Sequence, residues 1–421
     1  MKLNYKRTFL VGLAFMTIGS FWQLYDGVVP LILRNTFGIS DTITGIFMAA
    51  DNVLALILLP LFGTLSDKTN SRMGRRMPYI LIGTLLSVTS MMFIPVSNNM
   101  RSFVLLFIAL GITLLAMSSY RSASVALMPD VTPKPLRSKA NAVINLMGAV
   151  GGIFALLAVG VLVPKGDNPD YIPVFAVIAG FMLIAIMILV LTIKERKLVK
   201  DIDEQVSDEK SRKSSEVMAP DVKKSFYFLL AAVFLWFMGY NAVTTAFSRY
   251  AQVYWGLEGG LFAYTLIVAQ VAAIIAFIPV GIVASKVGRK KTILFGLVLL
   301  AVAFIAAAFF KSFSTLLFFF FALAGVGWAS INVNSYPMVV EMSRSADVGK
   351  YTGIYYTFSM SAQIITPILS GALLDYVGYW TLFPYGTLFG ILALITMIFV
   401  RHGDNKPEAV KNIEAYDSMD D

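Results

Sequence analysis

Three ionisable residues interrupt long apolar stretches of the sequence. Asp26 lies within FWQLYDGVVP, Asp51 within MAADNVLAL and Arg121 within SSYRSAS. A charged group at the centre of a bilayer costs at least about 2.5–3.5 kcal/mol, so such a residue is by default a functional candidate. Two carboxylates in a medium of low dielectric favour sharing one proton, because ionising both is unfavourable. We therefore interpret Asp26 and Asp51 as proton-coupling residues, and Arg121 as a residue that binds substrate or neutralises an acid.

The depth of these residues follows from the helical rise of ~1.5 Å per residue. Counting from the charged loops places Asp26 and Asp51 at one level in the outer half of the bilayer, with Arg121 nearer the midplane. The alternative for both acids is a wet position near the outer mouth with no coupling role.

Aromatic and amide side chains accompany these charges. A sugar presents an apolar ring face to aromatic side chains and hydroxyl groups to amides. Aromatic residues in membrane helices also serve as packing groups or interface anchors, which is the alternative interpretation for each of them. The substrate-binding candidates besides Arg121 are Trp22, Gln23, Tyr25, Tyr120, Asn145, Trp236, Tyr240, Asn241, Gln270, Asn332, Asn334 and Gln363.

The elements that must position these side chains are transmembrane helices. The chain is 57% hydrophobic and only 14% charged, which is more apolar surface than one soluble core can hide. A spanning helix needs roughly 20 mainly apolar residues, and the sequence contains twelve such runs. The predicted spans are 8–33, 42–65, 78–97, 102–128, 139–163, 172–193, 225–248, 260–284, 291–310, 313–339, 350–374 and 379–400.

Positive charge is distributed unequally between the loops. Of the 34 Lys and Arg residues, 28 fall in loops and ends that we assign to the cytoplasm. The opposite loops receive only Arg34, Arg101, Lys165, Arg249 and Lys311. This bias predicts a multi-pass protein of the plasma or inner membrane with both termini in the cytoplasm. The net charge of +9 then reflects inner loops that face anionic lipid, and we expect no nucleic-acid partner.

The sequence lacks most of the residues that metal binding, nucleophilic catalysis and ATP hydrolysis commonly use. The sequence has no cysteine, a single histidine, His402, and no G-x-x-x-x-G-K-[ST] phosphate loop. We therefore expect neither an enzyme nor an ATP-driven pump, and no metal or other cofactor.

The sequence repeats itself across a central polar stretch. GTLSDKTNSRMGRR at 63–76 follows the second span, and GIVASKVGRKK at 281–291 follows the eighth. A second pair, at 127–141 and 338–353, follows the fourth and tenth spans with an acid before a base. These features predict two parallel six-helix repeats in a functional monomer. The expected division is a bundle at 1–194, a cytoplasmic linker at 195–224, a bundle at 225–401 and a cytoplasmic tail at 402–421.

The repeated loops also have a mechanical interpretation. Arg75 and Arg76 can reach the acid Asp130 of the other loop and form charge-assisted hydrogen bonds of about 1.5–3 kcal/mol each. Such breakable contacts suit a cytoplasmic gate whose state a bound ligand shifts. The alternative is that the bases only set the topology. The gate candidates are Gly63, Asp67, Gly74, Arg75, Arg76, Asp130, Arg137, Arg289 and Glu341.

These loop residues resemble the major facilitator superfamily, whose inner loop after helix two carries G-x-x-x-D followed by G-R-R or G-R-K. S-D-K-x-x-S-R-x-G-R-R-x-P at 66–78 is similar to the sucrose carriers, and ALMPDVTPKPLRSKANA at 126–142 resembles that branch and the glycoside, pentoside and hexuronide symporters. The resemblance spans the whole chain. It implies an all-α integral membrane fold of twelve transmembrane helices in two six-helix pseudo-repeats, and cation-coupled sugar uptake.

The sequence departs from that pattern in two places. The plant sucrose carriers have an acid in helix four and an arginine about five residues before the loop acid, whereas Arg121 lies nine residues before Asp130 and helix four has no acid. Ser285 occupies the place that matches Asp67. The family's coupling residue therefore does not transfer directly, and sucrose is one candidate among several sugars.

The combined expectation is a proton-coupled symporter of a di- or oligosaccharide or a glycoside, working by alternating access. The alternatives are a sodium-coupled carrier or uniporter of sugar, an exporter of drugs or amphipathic metabolites, and a membrane receptor that transports nothing.

Overall fold

The computed structural model describes residues 3–133, 136–166, 169–203, 219–342 and 348–404. All regular structure in these ranges is helical. The helices are α1 Tyr5–Asn35, α2 Asp41–Lys68, α3 Met77–Met91, α4 Phe93–Met100, α5 Phe103–Asp130, α6 Arg137–Leu162, α7 Ile172–Thr192, α8 Glu195–Asp203, α9 Pro220–Val253, α10 Phe262–Val287, α11 Arg289–Ala308, α12 Leu317–Met342, α13 Val348–Tyr376 and α14 Leu382–Ile398.

The described residues contain twelve helices long and apolar enough to cross a membrane, which confirms the predicted all-α membrane fold. Helices α3 and α4 together make the third of these spans. The predicted linker at 195–224 begins as helix α8 and ends within α9, and its middle lies outside the described residues. The predicted tail lies outside them beyond residue 404.

The chain divides by its contacts into two bodies. The first comprises residues 1–39, 50–209 and 258–263, and its described core pairs α1 with α6 and α3 with α5. Helices α1 and α6 approach so closely that a Cβ atom on Gly19 would lie 2.1 Å from the backbone oxygen of Gly148. Small residues at these positions let the two backbones touch, as membrane helices without a hydrophobic driving force require.

The second body comprises residues 40–49, 210–257 and 264–421. Its described helices pair α11 with α12 and α9 with both α13 and α14. The first turns of α2 belong to this body, although the rest of α2 belongs to the first. We call the end of each body that carries the predicted cytoplasmic loops its inner end, and the opposite end its outer end.

The structure corrects one prediction of a helix boundary. Helix α9 runs to Val253 rather than to 248, so Arg249 lies inside a helix and not in an outer loop. Arg249 is also 2% exposed. From the sequence, a base at the end of an apolar run is interpreted as a loop residue. Arg249 instead stays in the helix because it is packed inside the protein and forms an ion pair that is described below.

Candidate functional site

The three intramembrane charges lie in the first body. Asp26 and Asp51 are close enough to repel one another, and Arg121 is close enough to attract Asp51. The guanidinium carbon of Arg121 lies 6.0 Å from the centre of the Trp22 ring, at the limit of a cation–π contact. The Trp22 ring meets Tyr25 edge to face at 5.6 Å. We call these five residues the acid–arginine cluster.

The polar contacts of this cluster leave capacity for a ligand. Asp51 accepts a hydrogen bond from the side-chain amide of Asn52 at 2.8 Å. The indole nitrogen of Trp22 is buried and has no hydrogen-bond partner among the described residues. A buried donor without a partner costs free energy, so an exception of this kind calls for an explanation such as a bound ligand or water.

The other first-body candidates differ from one another. Tyr120 is fully buried, and its hydroxyl donates to the Ala14 carbonyl at 2.8 Å and contacts the Thr17 hydroxyl. These contacts join α5 to α1. Tyr120 therefore has a role in helix packing, which is the alternative interpretation given above for aromatic residues. Asn145 is buried in α6, and Gln23 is half-buried on α1.

An aromatic shelf lies in the second body, between α9 and α12. The rings of Tyr240 and Trp328 are parallel within 2°, with their centres 3.6 Å apart. Phe237 packs its ring edge to face on Trp328 at 5.5 Å. Tyr240 and Trp328 are half-buried. Sequence reasoning found Tyr240 but missed Trp328, whose stacking partner lies on a distant helix.

Buried polar atoms without partners adjoin this shelf. Trp236 lies one helical turn before Tyr240, and Asn332 one turn after Trp328, so each shares a helix face with a shelf residue. Trp236 is 0% and Asn332 is 3% exposed. The Trp236 indole nitrogen, the Asn241 amide nitrogen and the Asn332 amide oxygen have no hydrogen-bond partner among the described residues. Two donor atoms and one acceptor atom near the shelf in the sequence are thus buried without a described partner.

Three further amides of the second body complete the predicted set. The side chain of Asn334 donates to the Ser330 carbonyl at 2.9 Å, so its own helix uses this donor. Gln270 on α10 and Gln363 on α13 are half-buried.

The gate candidates of the first body form one inner cluster. Arg75 donates two hydrogen bonds to the Asp130 carboxylate, at 3.0 and 2.7 Å, and Arg76 donates a third at 2.8 Å. Arg76 also donates to Asp67 and, at 3.3 Å, to the Gly63 carbonyl. The hydrogen bonds to Asp130 raise the pKa of the Arg75 guanidinium above its ordinary value. These contacts join the inner ends of α2, α3 and α5 inside the first body.

Glu195 completes this first inner cluster, and sequence reasoning missed it. Its carboxylate is buried and accepts the backbone N–H groups of Arg75, Arg76 and Met77 at 2.9, 3.0 and 2.9 Å. The first N–H groups of a helix lack partners within it, so Glu195 caps α3. Gly74 has φ 120°, and a Cβ atom there would lie 2.3 Å from the carboxylate. The glycine is thus required for both backbone conformation and space.

Arg137 fixes the loop that follows α5. Its guanidinium donates to the carbonyl oxygens of Pro129 and Thr132, at 2.8 and 3.3 Å. A cation at this position also complements the negative end of the helix dipole. Arg137 therefore positions the segment that carries Asp130.

The second body repeats this inner arrangement with fewer contacts. Arg289 donates to Glu341, and Asp404 accepts the backbone N–H of Lys290 at 2.7 Å. Gly288 has φ 100°, and a Cβ atom there would lie 2.9 Å from the Asp404 carboxylate. Ser285, at the place of Asp67, donates to the Ile282 carbonyl of its own helix. We call Arg289, Lys290, Glu341 and Asp404 the second inner cluster.

An outer cluster of the second body was not predicted. The Arg249 guanidinium lies 3.1 Å from the Asp41 carboxylate, and both side chains are buried. The Asp375 carboxylate accepts the backbone N–H groups of Asp41 and Thr42 at 2.8 and 2.6 Å, and Tyr379 donates to Asp41. These contacts attach the first turn of α2 to α9 and α13. Asp41 begins α2, and Asp375 lies at the end of α13. A charged residue at a helix end can be solvated, so the sequence alone does not indicate a tertiary partner for either acid.

Comparison with known proteins decides the family. A sequence profile described as the Major Facilitator Superfamily matches residues 11–278 and 255–415. The chain belongs to the major facilitator superfamily. A sucrose transport protein of Arabidopsis thaliana is 27% identical over 156 residues, which are 32% of this chain and 26% of that protein. An uncharacterised transporter of the same superfamily from Methanocaldococcus jannaschii is 26% identical over 123 residues, 29% of this chain and 30% of its own length.

Solved structures show the same superfamily fold. The nucleoside transporter NupG superposes with a TM-score of 0.70 at 11% identity, over 93% of this chain and 99% of that one. A bacterial homologue of the iron transporter ferroportin, in an inward-facing state, superposes with a TM-score of 0.66 at 15% identity, over 94% and 99%. At these identities the likeness shows the fold alone. The matched stretches span about a quarter to a third of the two curated relatives.

Proposed function

We propose that this major facilitator protein is a secondary active transporter that couples sugar uptake to protons by alternating access. The observation that carries the sugar assignment is the aromatic shelf. Its half-buried aromatic rings suit the apolar face of a sugar, and the buried polar atoms of Trp236, Asn241 and Asn332 suit hydroxyl groups. A hydroxyl both donates and accepts, so it can satisfy the two donors and the one acceptor together.

Proton coupling is supported by the acid–arginine cluster. Two carboxylates that repel one another inside a membrane bundle favour holding a proton, and Arg121 offers a counter-charge when that proton leaves. The partial similarity to a sucrose transport protein supports the same substrate class.

Alternating access is supported by polar clusters at both ends of the second body. The outer cluster holds the first turn of α2 through a buried ion pair, and removing one partner of such a pair costs about 3–5 kcal/mol. Contacts of this strength can define discrete states whose balance a ligand shifts through its different affinity for each state.

The test is the external pH change when a panel of sugars is added to proteoliposomes that contain the purified protein. We expect one sugar to give an alkaline transient in the parent, and Asp26→Asn to abolish it. Asp221→Asn removes an exposed carboxylate at the start of α9 and serves as the control that keeps the transient. Saturable sugar uptake with no pH change, driven by a sodium gradient or by none, would exclude the proton mechanism.

Binding of the same sugar tests the shelf separately. Trp328→Leu should weaken binding about tenfold, because an aromatic contact of this kind is worth roughly 0.5–1.5 kcal/mol beyond its buried area. Phe319→Leu is the control, since that ring is 57% exposed and lies on the same helix. Equal affinities of the two variants would remove the shelf from the binding site.

A further inference from the structure

A cleft at the inner end of the first body is lined by bases and by apolar side chains. Its volume is about 460 Å³. The basic side chains come from the loop before α3 and from the junction of α7 and α8, and they are Arg72, Lys194, Arg196 and Lys197. The apolar lining comes from Met77 and Ile193, which are buried, and from Val190, which is half-buried.

Positive charge dominates the described lining of this cleft. All four basic side chains are exposed, and none forms an ion pair with a residue whose side chain the structure describes, a set that excludes residues 200–203. Glu195 is the acid that follows Lys194, but its carboxylate is buried and bonded to the backbone of residues 75–77. Four uncompensated bases around one recess favour an anionic occupant.

The position of the cleft selects the kind of anion. The spanning helix α7 ends at Thr192, so the bases begin where the hydrocarbon region ends and the headgroup layer starts. Basic pockets between spanning helices at such a surface suit anionic lipid headgroups. The apolar side chains of Met77, Val190 and Ile193 suit the glycerol and upper acyl part of a lipid. A free phosphate has no apolar part that could contact them.

We propose that this cleft binds the phosphate headgroup of an anionic phospholipid. A bound lipid would stabilise the first inner cluster, because two bases of the cleft lie next to residues of that cluster in the sequence. Arg196 follows Glu195 directly, and Arg72 precedes Gly74 by two positions. This site regulates the inner end of the first body and does not depend on which substrate the protein transports.

Native mass spectrometry with added phosphatidylglycerol tests the proposal. The triple variant Arg72→Gln, Lys194→Gln, Arg196→Gln should bind this lipid on the order of 100-fold more weakly, at ~1 kcal/mol per base. The control variant Lys223→Gln, Lys286→Gln, Lys291→Gln removes the same charge from exposed inner positions and should bind as the parent does. Phosphatidylcholine should bind both variants and the parent equally.

Two further arms separate other outcomes. Raising the salt concentration should release phosphatidylglycerol from the unmutated protein, which tests the charge contribution without a mutation. Inorganic phosphate should displace the lipid only at far higher concentration, because it lacks the apolar part. Equal lipid binding by the triple variant and the control, or displacement by phosphate at equal concentration, overturns the assignment to a lipid site.

Discussion

The two inner clusters are built alike but are held with unequal strength. In the first body, Arg76 donates to Asp67, Asp130 and the Gly63 carbonyl, whereas the matching Lys290 donates its ammonium to one backbone carbonyl, that of Ile398. Arginine presents several donors in a rigid plane, and lysine presents a flexible point charge. Because Arg76 is an arginine and the matching Lys290 is a lysine, the base in the first cluster forms more hydrogen bonds than the base in the second.

The helix caps differ in the same direction. Glu195 accepts three backbone N–H groups at the start of α3, whereas Asp404 accepts the N–H of Lys290 at the start of α11. Hydrogen bonds to charged groups contribute about 1.5–3 kcal/mol each. The inner end of the first body is therefore held by more hydrogen bonds than the inner end of the second body, which is freer to change conformation.

The largest expected effect is the loss of the stronger cap. Glu195→Ala leaves three backbone N–H groups without their partner and should lower the free energy of unfolding by about 4.5 kcal/mol or more, against about 1.5–3 kcal/mol for Asp404→Ala. Thermal unfolding in detergent measures the order of the two variants. Glu195→Gln, which keeps one acceptor oxygen, should fall between the parent and Glu195→Ala. Equal losses for the two alanine variants would refute the difference between the caps.

A smaller effect is expected from removing the charge of the paired acids. Asp130→Asn weakens three hydrogen bonds from two arginines, whereas Glu341→Gln weakens one from Arg289. Initial transport rates in proteoliposomes should fall on the order of tenfold for the first variant and about twofold for the second, at ~1.4 kcal/mol per tenfold change. A greater loss in Glu341→Gln would reverse the assignment of the stronger cluster.

The smallest effect is expected when the second inner cluster is given the residues of the first. The double variant Ser285→Asp, Lys290→Arg gives the second body the acid and the arginine that the first body has at Asp67 and Arg76. We expect a rise in the thermal midpoint and a transport rate reduced about twofold, because one further exposed pair is worth at most ~1 kcal/mol. Ser285→Asn with Lys290→Arg is the uncharged control. A double variant indistinguishable from this control would show that position 285 cannot reach the new arginine.

Sequence reasoning predicted the elements better than their contacts. The twelve spans followed from apolar length, and Asp130 was matched to Arg75 and Arg76 because repeated loops carried complementary charges. Glu195 was missed because its partners are backbone N–H groups more than a hundred residues earlier, which no side-chain pattern encodes. Trp328 was missed because its role depends on stacking with Tyr240, and Arg249 because tertiary packing sets the end of α9.

Hydrogen exchange of backbone amides in the native protein tests the unequal bracing most directly. We expect slower exchange for residues 75–77 than for residues 289–291, and loss of this difference in Glu195→Ala. Equal exchange at the two sites in the parent, or faster exchange at residues 75–77, would contradict this expectation.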